Sequence, residues 1–199
     1  MDMATVTDMA LVVITRHNSM ETTETLIKGL LIIQPKIFRD DRGYFYEPYN
    51  KKVFTSLGIN DDFVQDNQSF SQKGVLRGLH FQKPPHAQAK LIRVLQGSVW
   101  DVAVDLRKGS PTYGEYYGIE LSGKNKTIFY IPAGFAHGFV TLENDTVFLY
   151  KCSGFYNKES EGSIQWNDPD INIQWNTSDP ILSEKDKNGT LLKNFTSPF

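Results

Sequence analysis

The chain has 199 residues, of which 40% are hydrophobic, 13% aromatic and 22% charged, with a formal net charge of -2. This is the composition of one globular domain, long enough to fold on its own core without a disulfide or a structural metal. A charge so close to neutral excludes an electrostatic case for nucleic acid or an anionic membrane, although local basic residues can still grip a phosphorylated small molecule.

Residues 1–25 hold a short apolar piece, ALVVIT, and a polar run, RHNSMETTET. The apolar piece is too short to span a bilayer, and acidic Asp2 and Asp8 precede it where a secretory signal carries basic charge. The expectation is a peripheral leader over 1–25, either a weakly docked tail or an added strand, followed by one domain over 26–199. The lone cysteine, Cys152, cannot form an intrachain disulfide, so a reducing, cytoplasmic setting is the simplest reading.

From Leu26 onward short apolar runs alternate with Gly, Pro and Asn turns, the pattern of a mainly β protein. KKVFTSLG (51–58) is the one segment that predicts a helix, with Gly58 as its stop. In KLIRVLQGSVWDVAVDLR (90–107), Gln96-Gly97-Ser98 turns the chain between two extended segments. In the second, Trp100, Val102, Val104 and Leu106 share one face, while Asp101, Ala103, Asp105 and Arg107 share the other. One face is core and the other looks into something polar, as in a sandwich or jelly-roll barrel with a lined interior. GIELS (118–122), TIFYIP (127–132) and TVFLYKCS (146–153) continue the strand pattern, and Pro and Gly in IPAGFAHGF (131–139) set a turn between two of them. The stretch 167–199 reads as polar loop.

Four histidines are present, His17, His80, His86 and His137. His80 stands out by its company in GVLRGLHFQ, near Arg77 and ahead of Lys90. The spacing Gly74-x5-His80 then Lys90-x6-Gly97 resembles the first motif of the cupin superfamily, and Pro132-x-Gly134-x2-His137 resembles the second. Metal-binding cupins carry a carboxylate where Lys90 stands and a second histidine where Gln82 stands. An ammonium has no lone pair to ligate a cation, so the resemblance predicts a cupin-like jelly roll with a few short helices and no metal.

Longer blocks narrow the resemblance. FRDDRGYFYE (38–47), FVQDNQSFSQKGVLRGLHFQ (63–82), QAKLIRVLQGSVWDVAVDLRKGSPTYG (88–114), IPAGFAHGF, YKCSGFY (150–156), EGSIQWNDPDI (161–171) and LSEKD (182–186) together resemble the dTDP-4-dehydrorhamnose 3,5-epimerase family. That resemblance implies a cofactor-free homodimeric isomerase that inverts C3 and C5 of dTDP-4-dehydro-6-deoxy-D-glucose on the route to rhamnose. A related enzyme that inverts one carbon or moves the keto group is the alternative, and a non-catalytic sugar-binding cupin a more distant one.

By the same resemblance His80 is the general base, Asp186 its partner, Tyr150 the proton donor on the opposite face, and Lys90 the stabiliser of the enolate oxygen. Histidine suits the first task because it titrates near neutrality. Asp101 lies across the turn from Lys90 and is expected to hold its charge if the side chain points that way. Arg42, Glu47, Gln65, Asn67, Arg77, His137, Tyr156, Glu161 and Lys185 match positions around the nucleotide-sugar. Arg42 and Arg77 are natural diphosphate partners, since a guanidinium offers a fork of donors.

Overall fold

A computed structural model describes residues 14–17 and 19–199. Fourteen strands and one helix follow in chain order: β1 Ile14–His17, β2 Met20–Glu24, β3 Leu31–Pro35, β4 Phe38–Asp40, β5 Gly43–Phe45, α1 Lys51–Ser56, β6 Gln65–Ser71, β7 Leu76–Gln82, β8 Lys90–Gln96, β9 Ser98–Asp105, β10 Tyr116–Ser122, β11 Ile128–Ile131, β12 Phe135–Thr141, β13 Thr146–Cys152 and β14 Glu161–Ser163. Two antiparallel sheets form the jelly roll, one in the order β1-β2-β3-β11-β8-β13-β6 and the other β10-β9-β12-β7-β14. β4 and β5 make a separate hairpin. Among the described residues no helix is long and apolar enough to cross a membrane.

The two-faced reading of β9 holds. Val102 and Val104, with Trp100 beside them, pack outward against Leu79, Phe81, Ile171 and Trp175, while Val99 and Ala103 join the inter-sheet core of Ile92, Val94, Phe129 and Phe148. The polar partner expected for the inner face is there too, because Asp101 is fully buried between the sheets beside His137. A third core lies outside the larger sheet, where α1 presses Val53 and Phe54 onto Leu91, Ile128 and Tyr130. Asn50 caps that helix by accepting from Lys52 N–H and Val53 N–H, and Gly58 follows it in the left-handed region at φ +87°.

One open alternative closes and one expectation changes. The described part of the leader is the added strand: β2 pairs with β3 from Met20↔Pro35 to Glu24↔Leu31, and Met20 is buried. Residues 1–13 and residue 18 of that leader lie outside the described residues. The 167–199 stretch is irregular as expected, yet it is not a surface loop. Ile171, Ile173 and Trp175 are buried, and Phe195 and Phe199 meet Phe81 edge-on, so the segment covers the outer face of the smaller sheet. Isolated apolar residues among Asn, Asp and Pro give no period, which is why the pattern hides that role.

Candidate functional site

Side chains from six strands, four of which carry most of the lining, surround one cavity of about 690 Å³ between the sheets. β6 contributes Gln65, Asn67 and Ser69; β8 contributes Lys90; β13 contributes Tyr150 and Cys152; β7 contributes Arg77, His80 and Gln82. Arg77 and His80 are three apart, so strict alternation puts them on opposite faces. A bulge resolves this. His137 pairs with His80 and Phe139 with Arg77, leaving two residues of β7 opposite Gly138 alone. Gly78 sits in that bulge at φ +144°, and a Cβ there would lie 2.5 Å from Gly138 Cα, so only glycine fits.

His80 Nε2 lies 2.7 Å from Asp186 Oδ1, a contact that becomes an ion pair when the imidazole takes up a proton. Asp186 opens a 3-10 turn beside β7, and its carboxylate also accepts from Ser183 Oγ at 2.5 Å and from Gly78 N–H at 3.3 Å. Burial pushes the Asp186 carboxyl up. His80, Ser183 and Gly78 outweigh burial and hold it at about 2. His80 therefore has an ionised carboxylate beside it at neutral pH.

Tyr150 and Lys90 face His80 from the other sheet. The Lys90 ammonium lies 5.7 Å from the centre of the Tyr150 ring, and Cys152 is the register partner of Lys90. Burial is the main influence on Tyr150, pushing its phenol up to about 12, with Cys152 and Glu161 adding to the rise and Arg77 opposing it. It is a neutral donor at pH 7. Burial also lowers the Lys90 pKa, against the pull of Cys152, Asp101 and Glu161.

The expected pairing of Asp101 with Lys90 is corrected here. Both Asp101 oxygens accept from His137 Nε2–H at 3.0 Å, so the carboxylate reaches Lys90 only through space. Because a carboxylate only accepts, the proton of neutral His137 is on Nε2. Burial lowers the His137 pKa, Asp101 opposes this, and Lys90 and His80 lower it further. Two neighbouring imidazoles thus differ: His80 is half-buried beside the Asp186 carboxylate, whereas His137 is buried and fixed by Asp101.

Gln65, Asn67, Arg77, His137, Tyr156, Glu161 and Lys185 all line the same cavity as His80, Lys90, Tyr150 and Asp186. Arg77 leans on Ser71, donating from Nε at 3.3 Å and Nη2 at 3.2 Å, which leaves the rest of its fork for a ligand. Lys185 and Glu161 form an ion pair, and Tyr156 donates its hydroxyl proton to Glu161 at 3.4 Å. Arg42 and Glu47 do not join them. Arg42 is 90% exposed on the β4–β5 hairpin and pairs with Asp40, and Glu47 is exposed just beyond, accepting from Asn50 Nδ2. Sequence reasoning passed over Ser69, Gln82, Gln88, Cys152 and Ser183. Ser69 and Cys152 were within reach of it, since each lies two residues beyond a predicted site residue on the same strand.

The sequence model described as dTDP-4-dehydrorhamnose 3,5-epimerase matches residues 24–194. The dTDP-4-dehydrorhamnose 3,5-epimerase of Shigella flexneri is 52% identical over 171 residues, which are 85% of this chain and 94% of that one. The crystal structure of the Elizabethkingia anophelis dTDP-4-dehydrorhamnose 3,5-epimerase superposes with a TM-score of 0.85 at 57% identity, covering 89% of this chain and 100% of that one. That of the Legionella pneumophila dTDP-6-deoxy-D-glucose-3,5-epimerase, in complex with dTDP-4-keto-L-rhamnose, gives 0.84 at 52%, covering 87% and 93%.

Proposed function

This chain belongs to the dTDP-4-dehydrorhamnose 3,5-epimerase family, and from that premise we propose that His80, Asp186, Tyr150 and Lys90 carry its chemistry. The protein is an isomerase that inverts C3 and C5 of dTDP-4-dehydro-6-deoxy-D-glucose. The observation that supports these roles is that the imidazole and the phenol line one cavity from opposite sheets. Facing sheets stand about 10 Å apart, room for one hexose ring between base and acid.

The ketone at C4 acidifies the C–H bonds at C3 and C5. The His80 ring nitrogen that faces the cavity removes one of these protons, and the electron pair moves onto the ketone oxygen as an enolate. The Asp186 carboxylate stabilises the imidazolium that forms. The Lys90 ammonium stabilises the enolate oxygen, in the manner of an oxyanion hole whose single donor is worth about 2.7–4 kcal/mol. Tyr150 delivers its proton from the opposite face, and the carbon inverts. Exchange with water then reprotonates Tyr150 and deprotonates His80, and the same pair serves the second carbon.

Arg77 takes the diphosphate, and Gln65, Asn67, His137, Tyr156, Glu161 and Lys185 surround the rest of the nucleotide-sugar. Arg42 and Glu47 do not line the cavity of their own chain. In a homodimer the β4–β5 hairpin, with exposed Phe38, Tyr44 and Phe45, inserts them at the partner's cavity. A reduced buried thiol and a nucleotide-sugar substrate both fit a cytoplasmic enzyme.

Incubation of the protein with dTDP-4-dehydro-6-deoxy-D-glucose in D2O, followed by NMR, tests the reading. Deuterium enters C3 and C5. Entry at one carbon alone reduces the protein to a mono-epimerase, and entry at neither removes the enolate chemistry.

A further inference from the structure

Three cavity-lining glutamines, from three separate places in the chain, converge on the loop 153–157. Gln65 Oε1 accepts from Tyr156 N–H at 3.0 Å, and Gln82 Oε1 accepts from Asn157 N–H at 3.0 Å. Gln88 Nε2 donates to the Gly154 carbonyl at 2.6 Å. Ser153 is pinned to Ala89 in both directions, donating its N–H to the Ala89 carbonyl at 3.0 Å and accepting Ala89 N–H on Oγ at 2.8 Å. The loop has no helix or strand of its own, and it presents Phe155 and Tyr156 in exposed positions. A short surface segment carrying two bulky aromatics samples many conformers unless its backbone is tied down. Here four of its five residues are tied.

We propose that Gln82 and Gln88 are positioning residues, which hold the loop 153–157 so that Tyr156 stands as a fixed wall of the substrate cavity. The inference rests on the reading of Tyr156 as a substrate contact. Gln82 occupies the place of the second histidine in metal-binding cupins, and in this chain that place anchors backbone instead. Gln82 is buried, at 7% exposure, so it acts from inside the barrel on the loop at the mouth. A glutamine suits the task because it is neutral and can both accept and donate. The effect reaches beyond one ring: Tyr156 bonds Glu161, Glu161 pairs with Lys185, and Lys185 precedes Asp186.

The test is a double-mutant cycle on the full-length enzyme, with Gln82→Ala, Tyr156→Ala and both together, assayed for KM and kcat on dTDP-4-dehydro-6-deoxy-D-glucose. Gln82→Ala raises KM about fivefold, the scale of one neutral hydrogen bond, with kcat within about twofold. In the Tyr156→Ala background Gln82→Ala adds nothing further, since its effect runs through that ring. Gln88→Leu, which removes the bond to Gly154 from a half-buried site, repeats the result if Gln82→Ala folds poorly. Equal KM increases in both backgrounds, or no increase from either glutamine, overturn the proposal. An unchanged KM in Tyr156→Ala alone refutes the place of Tyr156 at the substrate, and the clamp's purpose with it.

Discussion

Replacing Asp186 by asparagine removes one charge next to the base while keeping an acceptor for Gly78 N–H. In the folded protein the carboxyl is held at about 2 against an ordinary value of 3.8. At about 1.36 kcal/mol per pKa unit, that is roughly 2.5 kcal/mol of preference for the charged form. Ser183 and Gly78 supply part of it, so the share that serves the imidazolium in the transition state lowers kcat/KM by up to about 70-fold. An amide that donates to His80 and fixes the wrong tautomer deepens the loss. The assay is the initial rate of deuterium entry at C3 and C5, followed by NMR. The same shift governs acid stability. Since the folded pKa is depressed, the contribution is complete above pH 4 or so and is lost as pH falls towards 2. Urea unfolding from pH 6 down to pH 2 therefore shows a steeper acid decline in the native enzyme than in Asp186→Asn. Exchange within threefold of the native rate refutes the coupling of Asp186 to the base.

Tyr150→Phe removes the donor and spares the base, so proton loss from the substrate persists while net inversion, read by product stereochemistry, slows by about 10²-fold or more. Lys90→Met keeps the length of the side chain and removes the charge that faces the enolate, lowering kcat by roughly 10²–10³-fold with dTDP affinity, measured by calorimetry, nearly unchanged. Gly78→Ala forces a Cβ to 2.5 Å from Gly138 Cα in the strand that carries His80. Its chemical-denaturation midpoint drops by the equivalent of about 3 kcal/mol or more, or the protein fails to fold.

The jelly roll was legible because alternation in residues 98–107 is strong enough to assign both faces of β9, and because Gly97 marks the turn before it. That His80, Asp186 and Tyr150 would share one cavity was legible through block resemblance, which needs no geometry. Three things were not. Asp101 finds His137 instead of Lys90 because β9 pairs with β12, which carries His137, a long-range pairing that no local pattern contains. Arg42 and Glu47 match positions around the ligand by resemblance, but a match does not say whether they line this chain's own cavity, and they do not. The glutamine clamp joins residues far apart in sequence to backbone atoms, and backbone partners leave no signature in side-chain spacing.

The account stands on His80 as the base. Deuterium entry at C3 and C5 in the His80→Ala enzyme, measured beside its affinity for dTDP, tests that most directly. The account predicts exchange near the uncatalysed rate, with dTDP bound within a few-fold of the native affinity. Near-native exchange from this variant would contradict it.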